Sequence, residues 1–300
     1  MIESTGPAPA WGSDWLVGAG TGLYCGRPGG TWDAAGPYEY RVTCVRRSGS
    51  RLAVGTDGGL WEPRPAPGLW RQLHDEVLTV VQDVAFTAGD PGMVVASIYG
   101  VHVAERDELG VCRWRSCSGG LPVDARASAA ILVDGSDPQR WIVGTEAGVL
   151  VAADGGARWE TASLTGTAVR ALLKVGDRYW AGTDGRGVWR SDDALTWHPA
   201  RAALEAPVFS LSPMADGRLL AGTGRGVMWG DGESAWRPSG PSVWAAAVGA
   251  DPVEPGTWVA GASLGGVWWT ADGGGSWHQV TGITRGAEAV SAPLVPQGGR

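Results

Sequence analysis

One phrase recurs seven times along the 300-residue chain, and it constrains the fold more than any other feature of the sequence. Each copy consists of a short apolar run, a small residue, a polar turn that contains Gly, and a second apolar pair. The small residue falls at Gly18, Gly55, Ala96, Gly144, Gly182, Gly222 and Gly261, so successive copies lie 37 to 48 residues apart. Similarity at this period indicates repeated units that bury their apolar faces against one another.

Each copy is predicted to form a β-hairpin. In AVGTDGGLW, which begins at Ala53, two apolar runs flank the turn Asp57-Gly58-Gly59, whose glycines supply the positive φ that a tight turn requires. A β-prone run precedes each hairpin and a Trp-containing strand follows it, so each repeat holds four short strands. Seven such sheets around one axis bury both faces of every sheet. The sequence therefore predicts an all-β, seven-bladed β-propeller with four-stranded antiparallel blades.

The two ends of the chain are predicted to share blade 1. Three strands follow the N-terminus, at residues 15–19, 23–26 and 31–34, and the missing inner strand comes from AVSAPLV, which begins at Ala289. We expect a single domain over residues 12–297, preceded by a short extension over residues 1–11. Because seven inner strands crowd around one channel, small residues are expected on them, at Cys44, Ala130, Ala171, Ser210, Ala245 and Ala292.

Composition and charge exclude several classes of function. The net charge is −7, with 24 Lys and Arg against 31 Asp and Glu, which argues against a nucleic-acid partner. No run approaches the roughly 20 apolar residues of a membrane span. The first residues lack the basic and apolar regions of a secretory signal. We therefore expect a cytoplasmic protein without a membrane partner.

The cysteines and histidines predict neither a disulfide framework nor a metal centre. The four cysteines, at positions 25, 44, 112 and 117, form no CxxC pair and are expected to be free thiols in a reducing compartment. No group of His, Cys and Asp has the spacing of metal ligands. We expect no metal and no cofactor, and a monomeric chain.

A second periodic motif follows the hairpins of blades 4 to 7, where an Asp stands five residues before a Trp. The pairs are Asp154 and Trp159, Asp192 and Trp197, Asp231 and Trp236, and Asp272 and Trp277. The motif resembles the Asp-box, S/T-x-D-x-G-x-T-W, of the BNR or Asp-box propellers, which include sialidases, xyloglucanases, sortilin-type receptors and photosystem assembly factors. The resemblance implies turns at the outer edge of each blade, where the Asp caps the backbone and the Trp wedges between strands. Blades 1 to 3 depart from this pattern.

Function is expected at the mouth of the channel, where the hairpin turns and the loops that enter the inner strands meet. Side chains at these positions differ from blade to blade, whereas residues that serve packing should resemble one another in all blades. The candidate ligand-binding residues are Glu39, Arg41, Tyr99, Arg126, Arg170, Asp184, Arg186, Glu205, Arg225, Trp244, Arg285 and Glu288. The candidate catalytic residues are Tyr40, His74 and Glu76, with His74 as a general base that a nearby carboxylate orients.

These residues favour a propeller that binds a small molecule or an anion at its channel mouth. Two alternatives remain open. One is an enzyme of secondary metabolism, a cyclase, lyase or hydrolase, with acid and base groups at the same mouth. The other is a scaffold that presents this face to a partner protein. A sialidase or other glycoside hydrolase is disfavoured, because the R-I/L-P signature of sialidases is absent and xyloglucanases of this repeat type use two propellers.

Overall fold

The computed structural model describes residues 11–66, 68–73, 77–201 and 204–295, which form seven four-stranded antiparallel sheets arranged in a ring. This is the predicted seven-bladed β-propeller. Among the described residues there is no α-helix, and two 3-10 turns lie at Ser118–Gly120 and Val123–Ala125. The strands run from Trp15 to Ser291. The predicted extension over residues 1–11 and the predicted domain end at residue 297 lie almost wholly outside the described residues.

Each blade has four strands, the first at the channel and the fourth at the outer edge of the ring. Blade 1 has β28 (Ala287–Ser291), β1 (Trp15–Ala19), β2 (Gly22–Gly26) and β3 (Trp32–Ala34); blade 2 has β4 (Val42–Ser48), β5 (Arg51–Thr56), β6 (Gly59–Pro63) and β7 (Trp70–Leu73). Blade 3 has β8 (Val81–Phe86), β9 (Met93–Ser97), β10 (Gly100–Arg106) and β11 (Cys112–Ser116); blade 4 has β12 (Ser128–Asp134), β13 (Asp137–Thr145), β14 (Gly148–Ala152) and β15 (Glu160–Thr165). Blade 5 has β16 (Val169–Val175), β17 (Arg178–Thr183), β18 (Val188–Ser191) and β19 (His198–Pro199); blade 6 has β20 (Val208–Pro213), β21 (Leu219–Thr223), β22 (Gly226–Gly230) and β23 (Arg237–Ser239). Blade 7 has β24 (Ala245–Ala250), β25 (Trp258–Ala262), β26 (Gly266–Thr270) and β27 (His278–Gln279).

The apolar core consists of seven clusters, one between each pair of neighbouring blades. The small residue of the repeated phrase sits where the next blade's inner strand packs against the sheet. A Cβ at Gly182 would lie 2.7 Å from Cγ1 of Val208, and one at Gly55 would lie 2.6 Å from Cγ1 of Val81. The phrase therefore recurs because blade-to-blade packing leaves no room for a larger side chain.

Every inner strand carries a β-bulge at the same place, near its first residue. In blade 5, for example, Val169 pairs with Thr183 and Ala171 pairs with Gly182, which leaves Arg170 as the extra residue. The seven extra residues are Thr43, Gln82, Ala129, Arg170, Phe209, Ala246 and Glu288. A bulge bends the strand and redirects a side chain, and here it turns one residue per blade toward the channel.

The bulges set which inner-strand residue faces the small residue of the phrase. These residues are Cys44, Asp83, Ala130, Ala171, Ser210, Ala247 and Ala289. Five of the six small residues predicted for the inner strands lie on those strands, namely Cys44, Ala130, Ala171, Ser210 and Ala245. Ala292 directly follows β28 and lines the channel. In blade 3 the residue that faces the small residue of the phrase is a carboxylate, Asp83.

The Asp-containing turns lie between the third and fourth strands, at the outer edge of the blade. Asp154 accepts a hydrogen bond from the backbone N–H of Arg158 at 2.9 Å, and Asp272 accepts one from that of Ser276 at 2.9 Å. Asp231 accepts from the backbone of Glu233 and Ser234 at 2.9 and 2.7 Å. These carboxylates cap their turns, as the resemblance to the Asp-box implied.

In blade 5 the predicted residue was wrong. The turn is capped by Asp193, which accepts from the backbone N–H groups of Leu195 and Thr196 at 2.8 and 2.7 Å. Asp192 is exposed and pairs instead with Arg178 at 3.1 Å. The turn of blade 5 is one residue shorter than the others, so a fixed spacing of five residues before Trp197 selects the wrong carboxylate.

Replacing Asp193 by Ala is expected to lower the free energy of unfolding by about 1–2 kcal/mol, since two backbone donors lose their acceptor. The matched change Asp192→Ala is expected to stay within about 0.5 kcal/mol. The backbone N–H of Thr196 is the main cause that lowers the pKa of Asp193 to about 2. Its contribution is therefore complete above the unfolded pKa of about 4 and is lost as pH falls toward 2. Urea unfolding at pH 7 and pH 2 measures both effects; equal losses from the two variants at pH 7 would contradict the assignment.

The seam of the ring is held by one guanidinium. Arg47, on β4 of blade 2, donates hydrogen bonds to the carbonyls of Trp11 and Asp14 in the N-terminal segment. It also donates to Oγ and the carbonyl of Ser291 and to the carbonyl of Ala292 at the end of the C-terminal strand. Burial lowers the pKa of Arg47 to about 10. The side chain thus ties together both ends of the chain and the neighbouring blade.

Candidate functional site

The central channel holds a cavity of about 300 Å³. Its mouth opens at the end of the ring where the turns between the second and third strands of each blade lie. The residues that line the mouth are Thr43, Gln82, Ala129, Arg170, Phe209, Trp244, Ala246, Ser263 and Glu288. Seven of these nine are the extra residues of the bulges. The bulges therefore build the floor of the mouth with one side chain from each blade.

Residues at this one structural position differ in chemistry around the ring. Two carry charge, Arg170 and Glu288, two are uncharged polar residues, two are Ala, and one is Phe209. The positions that pack one blade on the next are nearly uniform, whereas the mouth is not. Since the backbone geometry is the same in all seven blades, the variation does not come from the fold. The bulge ring is therefore the candidate functional site.

An aromatic platform lies at one side of the mouth. The rings of Phe209 and Trp244 are stacked, with centroids 5.1 Å apart and planes inclined by 17°. Trp244 is 55% exposed, although it is a large apolar side chain that the core could bury. Phe209 holds one face of the indole in place and the other face of the ring system is open to solvent.

A charged cluster lies across blades 4 and 5. Arg170 donates to both carboxylate oxygens of Glu146, at 2.6 and 3.3 Å, and to Asp184 at 3.2 Å. Glu146 and Asp184 come from the mouth-end turns of their blades, and Arg170 comes from the bulge between them. The guanidinium is therefore fixed in direction, and its charge is compensated by two carboxylates.

A second ion pair lies on the opposite side of the ring. Nη1 of Arg41 is 3.7 Å from Oε1 of Glu288, and the backbone N–H of Arg41 donates to Asp57 at 3.2 Å. Among the ionisable side chains of the two clusters, Arg41 and Arg170 give +2. The four carboxylates give −4, namely Asp57, Glu146, Asp184 and Glu288. The two clusters together therefore carry a net charge of −2.

Deeper in the channel, an ion pair joins blades 2 and 3. Nη2 of Arg46 is 2.7 Å from Oδ1 of Asp83, which is 4% exposed. Asp83 also accepts the backbone N–H groups of Val84 and, across the blade interface, of Ile131, at 2.8 and 3.1 Å. Burial raises the pKa of Asp83, and Arg46 opposes that shift. This ion pair was not predicted, although an Asp at a position that small residues occupy in the other blades could have indicated it.

The other residues predicted for the mouth surround it without lining the cavity. Tyr40 packs on Trp61, with centroids 5.0 Å apart. Arg186 lies over the ring of Trp189 and donates to the carbonyl of Thr165 at 3.2 Å. Four others are exposed on the loops around the mouth: Glu39, Tyr99, Arg126 and Arg285. Glu205 and Arg225 lie apart from the channel, in a groove between blades 5 and 6.

Two of the three predicted catalytic residues, His74 and Glu76, lie outside the described residues. The third predicted catalytic residue, Tyr40, lies within them, and its ring contacts Trp61. Residues 11–66, 68–73, 77–201 and 204–295 contain no group of three His, Cys, Asp or Glu side chains placed to hold a metal ion. In the same ranges no helix has the length and hydropathy to cross a membrane. No disulfide joins any two of the four cysteines.

Comparison with solved structures shows a propeller. The chain matches the extracellular domain of BT4673 from B. thetaiotaomicron with a TM-score of 0.66 at 16% identity, over 84% of this chain and 38% of that one. It matches the GH74 xyloglucanase from Xanthomonas campestris with a TM-score of 0.62 at 17% identity, over 88% and 46% of the two chains. It matches YCF48 from Cyanidioschyzon merolae with a TM-score of 0.60 at 13% identity, over 83% and 88%.

These likenesses establish the fold alone. The chain spans less than half the length of the first two structures. No protein-family profile matches the sequence, and no curated protein matches it at a significant level. The function must therefore be argued from the mouth itself.

Proposed function

We propose that this propeller binds a small ring-shaped molecule with hydroxyl groups, such as a sugar, in the mouth of its channel. The observation that carries the proposal is the exposed Trp244, held flat by Phe209 at the rim of a cavity with a polar floor. An aromatic plane takes the apolar face of a ring, and fixed polar side chains beside it take the hydroxyls. Gln82, Arg170 and Glu288 offer both donors and acceptors for that purpose.

The charges of the mouth favour an uncharged ligand over an anion. Arg170 already pairs with Glu146 and Asp184, and its orientation is set by those contacts. Four of the arginines predicted for the mouth lie outside the lining of the cavity, namely Arg126, Arg186, Arg225 and Arg285. A carboxylate ligand would meet charged clusters whose net charge is −2, whereas hydroxyl groups meet donors and acceptors without a charge to oppose.

The same contacts support binding rather than glycoside hydrolysis. Hydrolysis of a glycosidic bond requires two carboxyl groups on either side of that bond. Among the described residues, Glu288 is the one carboxylate in the lining of the mouth cavity, and Arg41 lies beside it. Glu146 and Asp184, on the turns around the cavity, are both paired with Arg170. The likeness to the GH74 enzymes makes an oligosaccharide a rational first probe.

The change Trp244→Ala is expected to weaken the binding of a glucose tetrasaccharide about 30-fold, equivalent to about 2 kcal/mol. It is expected to leave the midpoint of thermal unfolding unchanged, because the indole is largely exposed. Titration calorimetry measures the affinity. The matched control is Leu69→Ala, a side chain of similar exposure at the opposite end of the ring. Equal affinities of the two variants would contradict a site at the mouth.

A second candidate function is a surface for a partner protein, and a specific observation favours it. Seven large apolar side chains that are at least 41% exposed lie on mouth-end loops, namely Tyr38, Val77, Ile98, Tyr99, Val123, Trp244 and Leu264. Exposed apolar groups gathered on one face are typical of interaction surfaces. If no oligosaccharide binds and Leu264→Asp abolishes the capture of a protein from the native cell, the scaffold role replaces the small-molecule role.

A further inference from the structure

A groove of about 560 Å³ runs along the outer side of the ring between blades 5 and 6. Its lining includes the apolar side chains of Leu204, Met228 and Trp236, together with Arg201 and Glu233. It is separate from the channel, whose lining shares no residue with it. Any ligand of this groove is therefore independent of the proposed ligand of the mouth.

Three guanidinium groups meet at Glu233, which lines the groove. Of the three arginines, Arg201 also lines the groove, and the other two reach Glu233 from strands of blade 5. Arg178, Arg190 and Arg201 lie 3.6, 3.3 and 3.5 Å from the carboxylate oxygens of Glu233, which belongs to the turn between β22 and β23 of blade 6. Charge-assisted hydrogen bonds between such groups are about 2.7–2.9 Å long. One carboxylate with two oxygens thus serves three guanidiniums at distances longer than the optimum.

The cluster also has an unpaired hydrogen-bond donor and an excess of positive charge. Nε of Arg190 is buried and has no hydrogen-bond partner among the described residues. Arg178 pairs in addition with Asp192, so three positive charges face two negative ones, a surplus of +1. Buried donors without a partner are rare and costly in native proteins. In a chain whose net charge is −7, this surplus indicates a site made for a second anion.

We propose that the groove binds the phosphate group of a small organic molecule and that Glu233 occupies the phosphate position when the ligand is absent. A phosphate has three terminal oxygens and close to two negative charges at neutral pH, which suits three guanidiniums better than one carboxylate does. Glu233 lies on a turn and its side chain is 37% exposed, so it can leave the cluster. The organic part of the ligand lies on the apolar floor of Leu204, Met228 and Trp236.

Titration calorimetry at pH 8 and constant ionic strength, with inorganic phosphate and with phenyl phosphate, tests the proposal. Glu233→Gln removes the internal competitor and is expected to bind both probes about tenfold more tightly, whereas Arg190→Gln is expected to bind them about tenfold more weakly. Arg201→Gln, at a side chain that is 75% exposed, repeats the second test without risk to folding. Arg113→Gln, which removes an exposed arginine paired with Asp107, is the control.

Tighter binding by Glu233→Gln together with weaker binding by the arginine variants is expected only if Glu233 competes with the anion for the arginines. If Glu233→Gln binds no more tightly than the native chain, or if both arginine variants match the control, the proposal is wrong. The two probes separate the sources of the phosphate group. Tighter binding of phenyl phosphate supports an organic ligand on the apolar floor, and equal affinity for the two would overturn that part of the proposal.

Discussion

Replacement of Arg47 by Met is expected to lower the free energy of unfolding by about 3 kcal/mol or more. The guanidinium donates to five acceptors, in the N-terminal segment and at the end of β28, and Met supplies none of these donors. Carbonyls left without a donor in a partly buried site cost about 1–3 kcal/mol each when water does not reach them. Because Met keeps the length of the apolar stem, the loss reports the hydrogen bonds rather than the packing.

Urea unfolding measures this effect, with Arg113→Met as the control. Arg113 is exposed and its ion pair with Asp107 is expected to contribute less than about 1 kcal/mol. The two variants should differ by at least about 2 kcal/mol. A loss below about 1 kcal/mol for Arg47→Met would mean that ladder hydrogen bonds between β28 and β1 close the ring without the guanidinium.

Replacement of Trp197 by Ala is expected to lower the free energy of unfolding by about 3–5 kcal/mol, since it removes a large buried side chain and leaves a cavity. Trp197 is 4% exposed and belongs to the cluster between blades 4 and 5. Its Nε1 donates to the carbonyl of Ala194 at 2.7 Å, which holds the ring against the Asp193 turn.

The matched variant is Trp189→Ala, on the neighbouring strand β18. Trp189 is only half-buried, with Arg186 over its ring, so its truncation opens a smaller cavity and is expected to cost less than half as much. Thermal and urea unfolding of both variants measure the difference. Similar losses from the two changes would contradict the view that the outer Trp of the Asp turn wedges the blades together.

The fold could be predicted from the repeat because every blade meets the same steric constraint from the next blade. Gly55 and Gly182 recur at the same point of the phrase since a Cβ there would collide with Val81 and Val208 of the next blade. The need for a small side chain therefore shows in the sequence as Gly or Ala at the same point of every copy. The shared blade 1 was also predictable, because the N-terminus begins inside a repeat and an unpaired β-prone run follows the last one.

The bulges could not be predicted. An extra residue in a strand changes no composition and is hard to recognise in a strand of five to seven residues. The sequence therefore does not show that Ala247 and Ala289 are the residues that face the small residue of the phrase. A turn that is one residue shorter caused the error at Asp192.

The sequence named some of the residues that line the mouth but not the contacts between them. Arg170, Trp244 and Glu288 were named from the sequence and line the mouth, whereas Phe209 and Gln82 were not among the candidates for binding. Residues such as Arg126 and Arg285 occupy mouth-end loops, but loop position alone does not determine whether a long side chain reaches the cavity. Contacts such as that of Arg170 with Glu146 and Asp184 depend on three separate segments and are not visible in any one of them.

The most direct test of the central claim is the thermal unfolding of the native chain and of Trp244→Ala against oligosaccharides, carboxylate metabolites and aromatic amines. A ligand at 100 times its dissociation constant adds about 2.7 kcal/mol to the free energy of unfolding, enough to raise the midpoint by several degrees. We expect oligosaccharides to raise the midpoint of the native chain and to raise that of Trp244→Ala only about a third as much, because a ligand bound 30-fold more weakly adds roughly 0.9 kcal/mol at the same concentration. A rise of equal size in both proteins, or a rise with carboxylates alone, would contradict a ring-binding site at the channel mouth.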